Sequence, residues 1–141
     1  MIKNVYEILD EVAAAPTDEA RRAILFYNDN HALRRVLRAV FHPHIRFVID
    51  KVPNYKPSDA PPGLSDATLH TQINRIYLFE EGNPNVSPNL TPERKQQLLV
   101  QILESLEAKE AVVFMNTLLK DLKVPGLTKE LVEEVFPDLL K

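Results

Sequence analysis

His31-Ala32-Leu33-Arg34-Arg35-Val36-Leu37-Arg38-Ala39-Val40-Phe41 decides the fold. Leu33, Val36, Leu37, Val40 and Phe41 recur at intervals of three and four, the signature of one buried helical stripe, over a helix of about 30–41. His31, Arg34, Arg35 and Arg38 fall on the other side, where a helix meets water. Asn28-Asp29-Asn30 ahead of it is a turn and cap cluster. His42-Pro43-His44 interrupts it, and Pro43 is acceptable in the first turn of a short helix expected through about Asp50, with Ile45, Val48 and Ile49 as its apolar face.

The same period extends in both directions. Ile2, Val5, Ile8, Leu9 and Val12 predict a helix over 3–14, which Pro16 ends. Thr17, followed by Asp18 and Glu19, caps a second helix over 18–27, expected to bury Ala20, Ala23, Ile24 and Tyr27. Pro53, Pro57, Pro61, Pro62 and Gly63 then mark a surface loop over 52–66, with Val52 and Tyr55 expected to pack it on the core. Ser65 or Asp66 is expected to cap a helix to about Glu80, burying Leu69, Ile73, Ile76 and Tyr77. After a second Pro/Asn-rich loop, Thr91-Pro92-Glu93 is a strong helix start, and Leu99, Ile102, Leu103 and Leu106 follow as its stripe. A break is expected near Ser105 to Glu107, then a stripe of Ala111, Met115, Leu118, Leu119 and Leu122. Val124-Pro125-Gly126 turns the chain, and Thr128 caps a last helix carrying Leu131, Val132, Val135 and Phe136. No segment alternates as a strand between hairpin turns, and no internal repeat is evident. The expectation is an all-α, compact domain of about seven or eight helices spanning 1–141.

Composition narrows the function classes. About 45% of the 141 residues are apolar and 26% charged, the balance of a soluble globular protein. No apolar run is long enough to span a membrane, and the N-terminus has no apolar signal core, so a cytoplasmic protein is expected. The absence of cysteine excludes disulfides, thiolate zinc sites and a cysteine nucleophile. Net charge is −3, but unevenly spread. Residues 21–56 hold eight bases against two acids, whereas both flanking regions are acidic. A local basic segment can still meet phosphate, because a binding face acts through its own field.

Two blocks resemble the N-terminal DNA-binding domain of T-even-type phage ATP-dependent DNA ligases. The first is Ile24-Leu25, Asn28-Asp29-Asn30, Leu33-Arg34-Arg35-Val36 and Arg38, continuing to Phe47-Val48-Ile49-Asp50-Lys51-Val52-Pro53. The second is Leu119-Lys120-Asp121-Leu122, Gly126-Leu127-Thr128, Val132 and Phe136-Pro137. The chain also resembles small proteins encoded by T-even-like phages of cyanobacteria. The ligase resemblance spans nearly the whole chain and implies the same multi-helix fold, meeting the duplex backbone without reading bases. The proline-rich loop is longer here and the basic balance weaker. Ligases attack ATP through the lysine of Lys-x-Asp-Gly, which is absent, as is any glycine-rich phosphate loop. The chain is therefore expected not to be an enzyme and to need no cofactor.

The candidate phosphate contacts are Arg34, Arg35, Arg38, Arg46 and Lys51, with Lys120, Lys123, Thr128 and Lys129 around the C-terminal turn. Thr128, at a helix start, could present backbone N–H groups to phosphate or be a plain cap. The arginines could equally be a solvated face paired with Glu7, Asp10 or Asp50. The expected partner is duplex DNA, nicked or intact; the alternative is a phage or host protein, bound by a module that has lost the DNA. His42 and His44, with His31, lack a third acidic ligand at fixed spacing and read as exposed or capping groups, not metal ligands. Glu104, Glu107 and Glu110 read as solvent-facing charge on an amphipathic helix.

Overall fold

The helix starts are set by side chains that replace missing backbone partners. In the computed structural model, which describes residues 3–49, 51–60 and 67–141, Thr17 Oγ1 accepts from the Ala20 N–H at 3.1 Å, Asn30 Oδ1 from Leu33 at 2.9 Å, Thr91 Oγ1 from Arg94 at 3.1 Å and Thr128 Oγ1 from Leu131 at 3.2 Å. Each satisfies one of the N–H groups a helix start leaves orphaned. The described residues form seven α-helices: α1 (Val5–Ala14), α2 (Asp18–Tyr27), α3 (His31–Phe41), α4 (Leu69–Gln72), α5 (Pro92–Ser105), α6 (Ala108–Leu118) and α7 (Lys129–Val135). A 3-10 run, Ile73–Phe79, continues α4. None of these helices is long and apolar enough to cross a membrane.

Helix α6 is the hub, touching α1, α3, α4, α5 and the 3-10 run, while α2 sits between α1 and α7. Its Ala111, Val113, Phe114, Met115 and Leu118 are buried, and Phe114 meets Phe79 edge-on with ring centroids 6.4 Å apart. Thr117 is wholly buried, and its hydroxyl donates to the Val113 carbonyl at 2.7 Å, so no polar group is stranded. Helix α3 lays Leu33, Val36, Leu37 and Val40 into this core as its sequence requires, and Ala32 and Ala39 widen the buried face. The break between α5 and α6 falls at Leu106, as expected.

Five expectations are corrected. Residues 44–49 are not helical: the Val48 N–H donates to the Phe79 carbonyl at 2.8 Å and the Glu81 N–H to the Arg46 carbonyl at 2.7 Å. Ile45, Phe47 and Ile49 turn inward while Arg46 and Val48 face out, the two-residue alternation of extended chain. Helix α2 presents Leu25, not Ala23 and Tyr27, to the core; Tyr27 is 82% exposed. Phe79 replaces Tyr77 as the buried aromatic of its segment, and Leu119 points outward. Pro53, with Tyr55 half-buried beside it, anchors the proline-rich loop; Val52 is exposed. That loop is tied to the α5–α6 joint by the Ser58 N–H to the Leu106 carbonyl at 3.0 Å. The expected Ser65 or Asp66 cap lies outside the described residues, as does the Asp50 partner for the arginines.

Candidate nucleic-acid interface

Most of the candidate basic residues separate into two groups, one towards each end of α3. At its start, Arg34 is paired, with its side chain still 48% exposed. Its Nε and Nη2 donate to the two carboxylate oxygens of Asp29 at 2.6 and 2.7 Å, and its guanidinium lies 4.8 Å from the Phe136 ring centroid. Hydrogen bonding to Arg34 holds the Asp29 carboxyl below its ordinary range. The surroundings repeat the pattern: Arg22 meets Glu134 at 2.9 Å, and Lys129 meets Glu133 at 3.8 Å. Thr128 spends its hydroxyl on capping α7.

At the far end of α3, cations gather with little acid among them. Helix α6 ends in a Schellman turn, with the Lys120 N–H donating to the Thr117 carbonyl and the Asp121 N–H to the Asn116 carbonyl, each at 3.0 Å. Lys120 occupies the position that favours glycine, at φ 57. Its ammonium reaches across to the last carbonyls of the α3 region, donating to His42 O at 2.8 Å and also to Ile45 O. Two charge-assisted hydrogen bonds, at a helix end that favours cations, offset the backbone conformation. Burial, then the nearby Arg46 charge, lowers the Lys120 ammonium below its usual range. His42 registers the same field. Burial pushes its imidazole down, the charges of Arg38, His44 and Lys120 push it further, and only Glu80 acts the other way.

Arg35 and Arg38 line a cleft of about 360 Å³ with Phe47, Tyr77, Glu80 and Asn83. Neither arginine has a carboxylate partner among the described residues, and the same holds for Arg46. The structure thus brings Arg35, Arg38, Arg46 and Lys120 into one neighbourhood and leaves Arg34 and Lys129 paired elsewhere. Lys51 borders a different surface, beside Glu93, Gln96 and Val100 on α5. Lys123, also in the left-handed region at φ 58, lies between Lys120 and the groove of α1 and α6.

Two residues that sequence reasoning placed in solvent are buried, a further correction. Glu107 and Glu110 are 9% and 5% exposed. Glu110 accepts from the Leu69 N–H at 2.9 Å and so holds the start of α4 against α6. Burial raises its carboxyl, against the pull of that hydrogen bond, and Glu107 adds to the rise. The period of α6 carried the signal: Glu107, Glu110, Ala111 and Phe114 share one face.

Comparison with solved structures places the fold. The chain called Pmar-Lig_PreS3 superposes with a TM-score of 0.74 at 16% identity, over 97% of this chain and 31% of that one. Pmar-Lig_Pre. gives 0.72 at 17% identity, over 96% and 30%. This protein spans less than a third of either, and the likeness is one of fold alone. No curated protein matches the sequence. A family profile does, over residues 8–124, and the chain belongs to that family, described as a family of unknown function, DUF6433.

Proposed function

We infer that this protein is a non-catalytic phage accessory of DNA metabolism that binds the duplex backbone without reading sequence. The convergence of Arg38 and Lys120 beside His42, with Arg46 next to Lys120, from segments about eighty residues apart, carries this reading. A cation field of that kind, low in carboxylates, attracts a polyanion whatever the net charge of the chain. The name shared by the similar solved chains, Lig, agrees with the ligase resemblance of the two sequence blocks and supports the reading through fold. The contact set is Arg35, Arg38, Arg46 and the outer edge of Lys120, with Lys123 flanking it.

The test is a fluorescence-anisotropy titration of nicked and intact duplex at a series of salt concentrations. Neutralising three to four phosphates gives a slope of about −3 in log affinity against log salt. A flat salt response, or no binding at low salt by folded protein, contradicts the reading.

One observation favours a second reading, a module that binds a phage or host protein. Phe26 and Tyr27 are 64% and 82% exposed on α2, with ring centroids 5.4 Å apart, beside the charge-paired α2–α7 surface. Exposed aromatics of this kind are common anchors of protein interfaces. Loss of a copurifying partner on Phe26→Ser/Tyr27→Ser, with DNA binding absent in the parent, would select it.

A further inference from the structure

The cleft at the end of α3 has more chemistry than a backbone phosphate needs. Its walls come from three segments: α3, the extended residues 45–47, and the end of the 3-10 run with the turn that follows. One wall offers the guanidiniums of Arg35 and Arg38, neither with a carboxylate partner among the described residues. The floor is apolar, with Phe47 packed against the core. The opposite wall presents Glu80, whose carboxylate accepts from Asn83 Nδ2 at 3.1 Å, leaving lone pairs for a ligand. A volume of about 360 Å³ lies at the lower end of small-ligand sites.

These three surfaces constrain the occupant jointly. A simple anion has no use for the apolar floor and is opposed by Glu80. An apolar ligand gains nothing from two arginines. A molecule with a phosphate at one end and a flat ring bearing amino hydrogens at the other satisfies all three, since carboxylates accept from the exocyclic amine of a base. We propose that this cleft is a binding site for a single unpaired nucleotide, its phosphate on Arg35 and Arg38, its base on the floor beside Phe47 and Tyr77, and its amino edge on Glu80.

A stacked, paired base is inaccessible to such a cleft, so the nucleotide comes from a gap, a strand end or free solution. The strand source rests on the duplex reading above. The chain then favours interrupted DNA over continuous duplex, a preference that a purely backbone-binding face does not generate.

The test follows amide NMR shifts of the whole chain on adding each of the four deoxynucleoside 5′-monophosphates, and inorganic phosphate as control. Shifts at Ile45–Phe47 and Glu80–Asn85 are expected with dAMP, dCMP and dGMP. dTMP, which lacks an exocyclic amine, binds more weakly. Arg38→Gln lowers nucleotide affinity about tenfold, the effect of losing one charge-assisted hydrogen bond. Glu80→Gln, which can keep a contact to Asn83, narrows the gap between dTMP and the others. Phosphate binding as tightly as the nucleotides, or shifts confined to other surfaces, overturns the proposal. A parallel titration compares covalently closed circular duplex with the same duplex carrying a one-nucleotide gap. Equal affinity for both overturns the preference and leaves the duplex reading standing. Nucleotide shifts without binding of either DNA keep the cleft and remove the duplex reading.

Discussion

Arg34 and Arg38 stand one helical turn apart on α3, with the same side chain and opposite circumstances. Arg34 faces Asp29 and Phe136 and is spent on structure. Arg38 faces His42 and a cleft, and its charge, like that of Lys120, acts on His42 as repulsion. Counting bases on a helix face treats the two alike. What separates them is what the rest of the chain brings: a carboxylate five residues earlier in one case, a lysine from a distant turn in the other. A basic stripe becomes a binding face only where its cations are left without a carboxylate partner.

The largest expected effect comes from reversing the open end. Arg35→Glu/Arg38→Glu should lower duplex affinity about a hundredfold, as two charge-assisted contacts of about 1.5 kcal/mol imply, and flatten the salt slope by about two. Thermal stability should scarcely change, because neither arginine forms a salt bridge among the described residues. Binding and melting measured on the same sample check both halves.

Lys120→Ala should act mainly on stability. It strips the His42 and Ile45 carbonyls of a charged donor while keeping a non-glycine residue in the left-handed region, so a loss of about 1–3 kcal/mol is expected in denaturant melts. Lys120→Gly should lose less, since glycine relieves the backbone by about 1 kcal/mol. If the two variants melt alike, the left-handed position carries no strain.

Glu110 tests the buried pair in the same way. Glu110→Gln should match or exceed the parent at pH 7, because an amide oxygen can still accept from Leu69 and no charge is buried. Its folded carboxyl titrates above the unfolded one, so the native state takes the proton first as pH falls. Stability from this group therefore grows on acidification, through the window from the folded value down to the unfolded one. Glu110→Gln should abolish that portion of the pH profile.

His42 gives the smallest effect, with the opposite sign for stability. Its folded value is depressed, so the unfolded chain takes the proton first and the free protein loses stability as pH drops below the ordinary histidine range. A bound polyanion cancels the field of Arg38 and Lys120 and lets His42 protonate, so duplex binding takes up a proton and tightens as pH falls. His42→Asn should remove this pH dependence while leaving affinity at pH 8 nearly unchanged.

Much of the helical frame was legible because it depends on local rules. Thr17, Thr91 and Thr128 cap helices for the reason their neighbours announce, and the α3 stripe buries as its spacing dictates. Residues 44–49 were misread because Ile45, Val48 and Ile49 mimic a helix while Ile45, Phe47 and Ile49 mimic a strand. Two backbone hydrogen bonds to the end of the 3-10 run decide between them. The candidate site was legible as a set of bases, but its partition was not. Lys120 reaches the carbonyls of His42 and Ile45 from a left-handed turn 78 and 75 positions on, and Arg34 lies beside a phenylalanine 102 positions away. Neither fact has a local signature.

The most direct measurement sets the two arginines against each other. Arg34→Glu and Arg38→Glu are compared in one duplex-binding assay at low salt, with circular dichroism confirming that both fold. The expected result is a loss of about tenfold for Arg38→Glu and less than twofold for Arg34→Glu. Equal losses, or a greater loss at Arg34, would contradict the assignment of the binding face to the C-terminal end of α3.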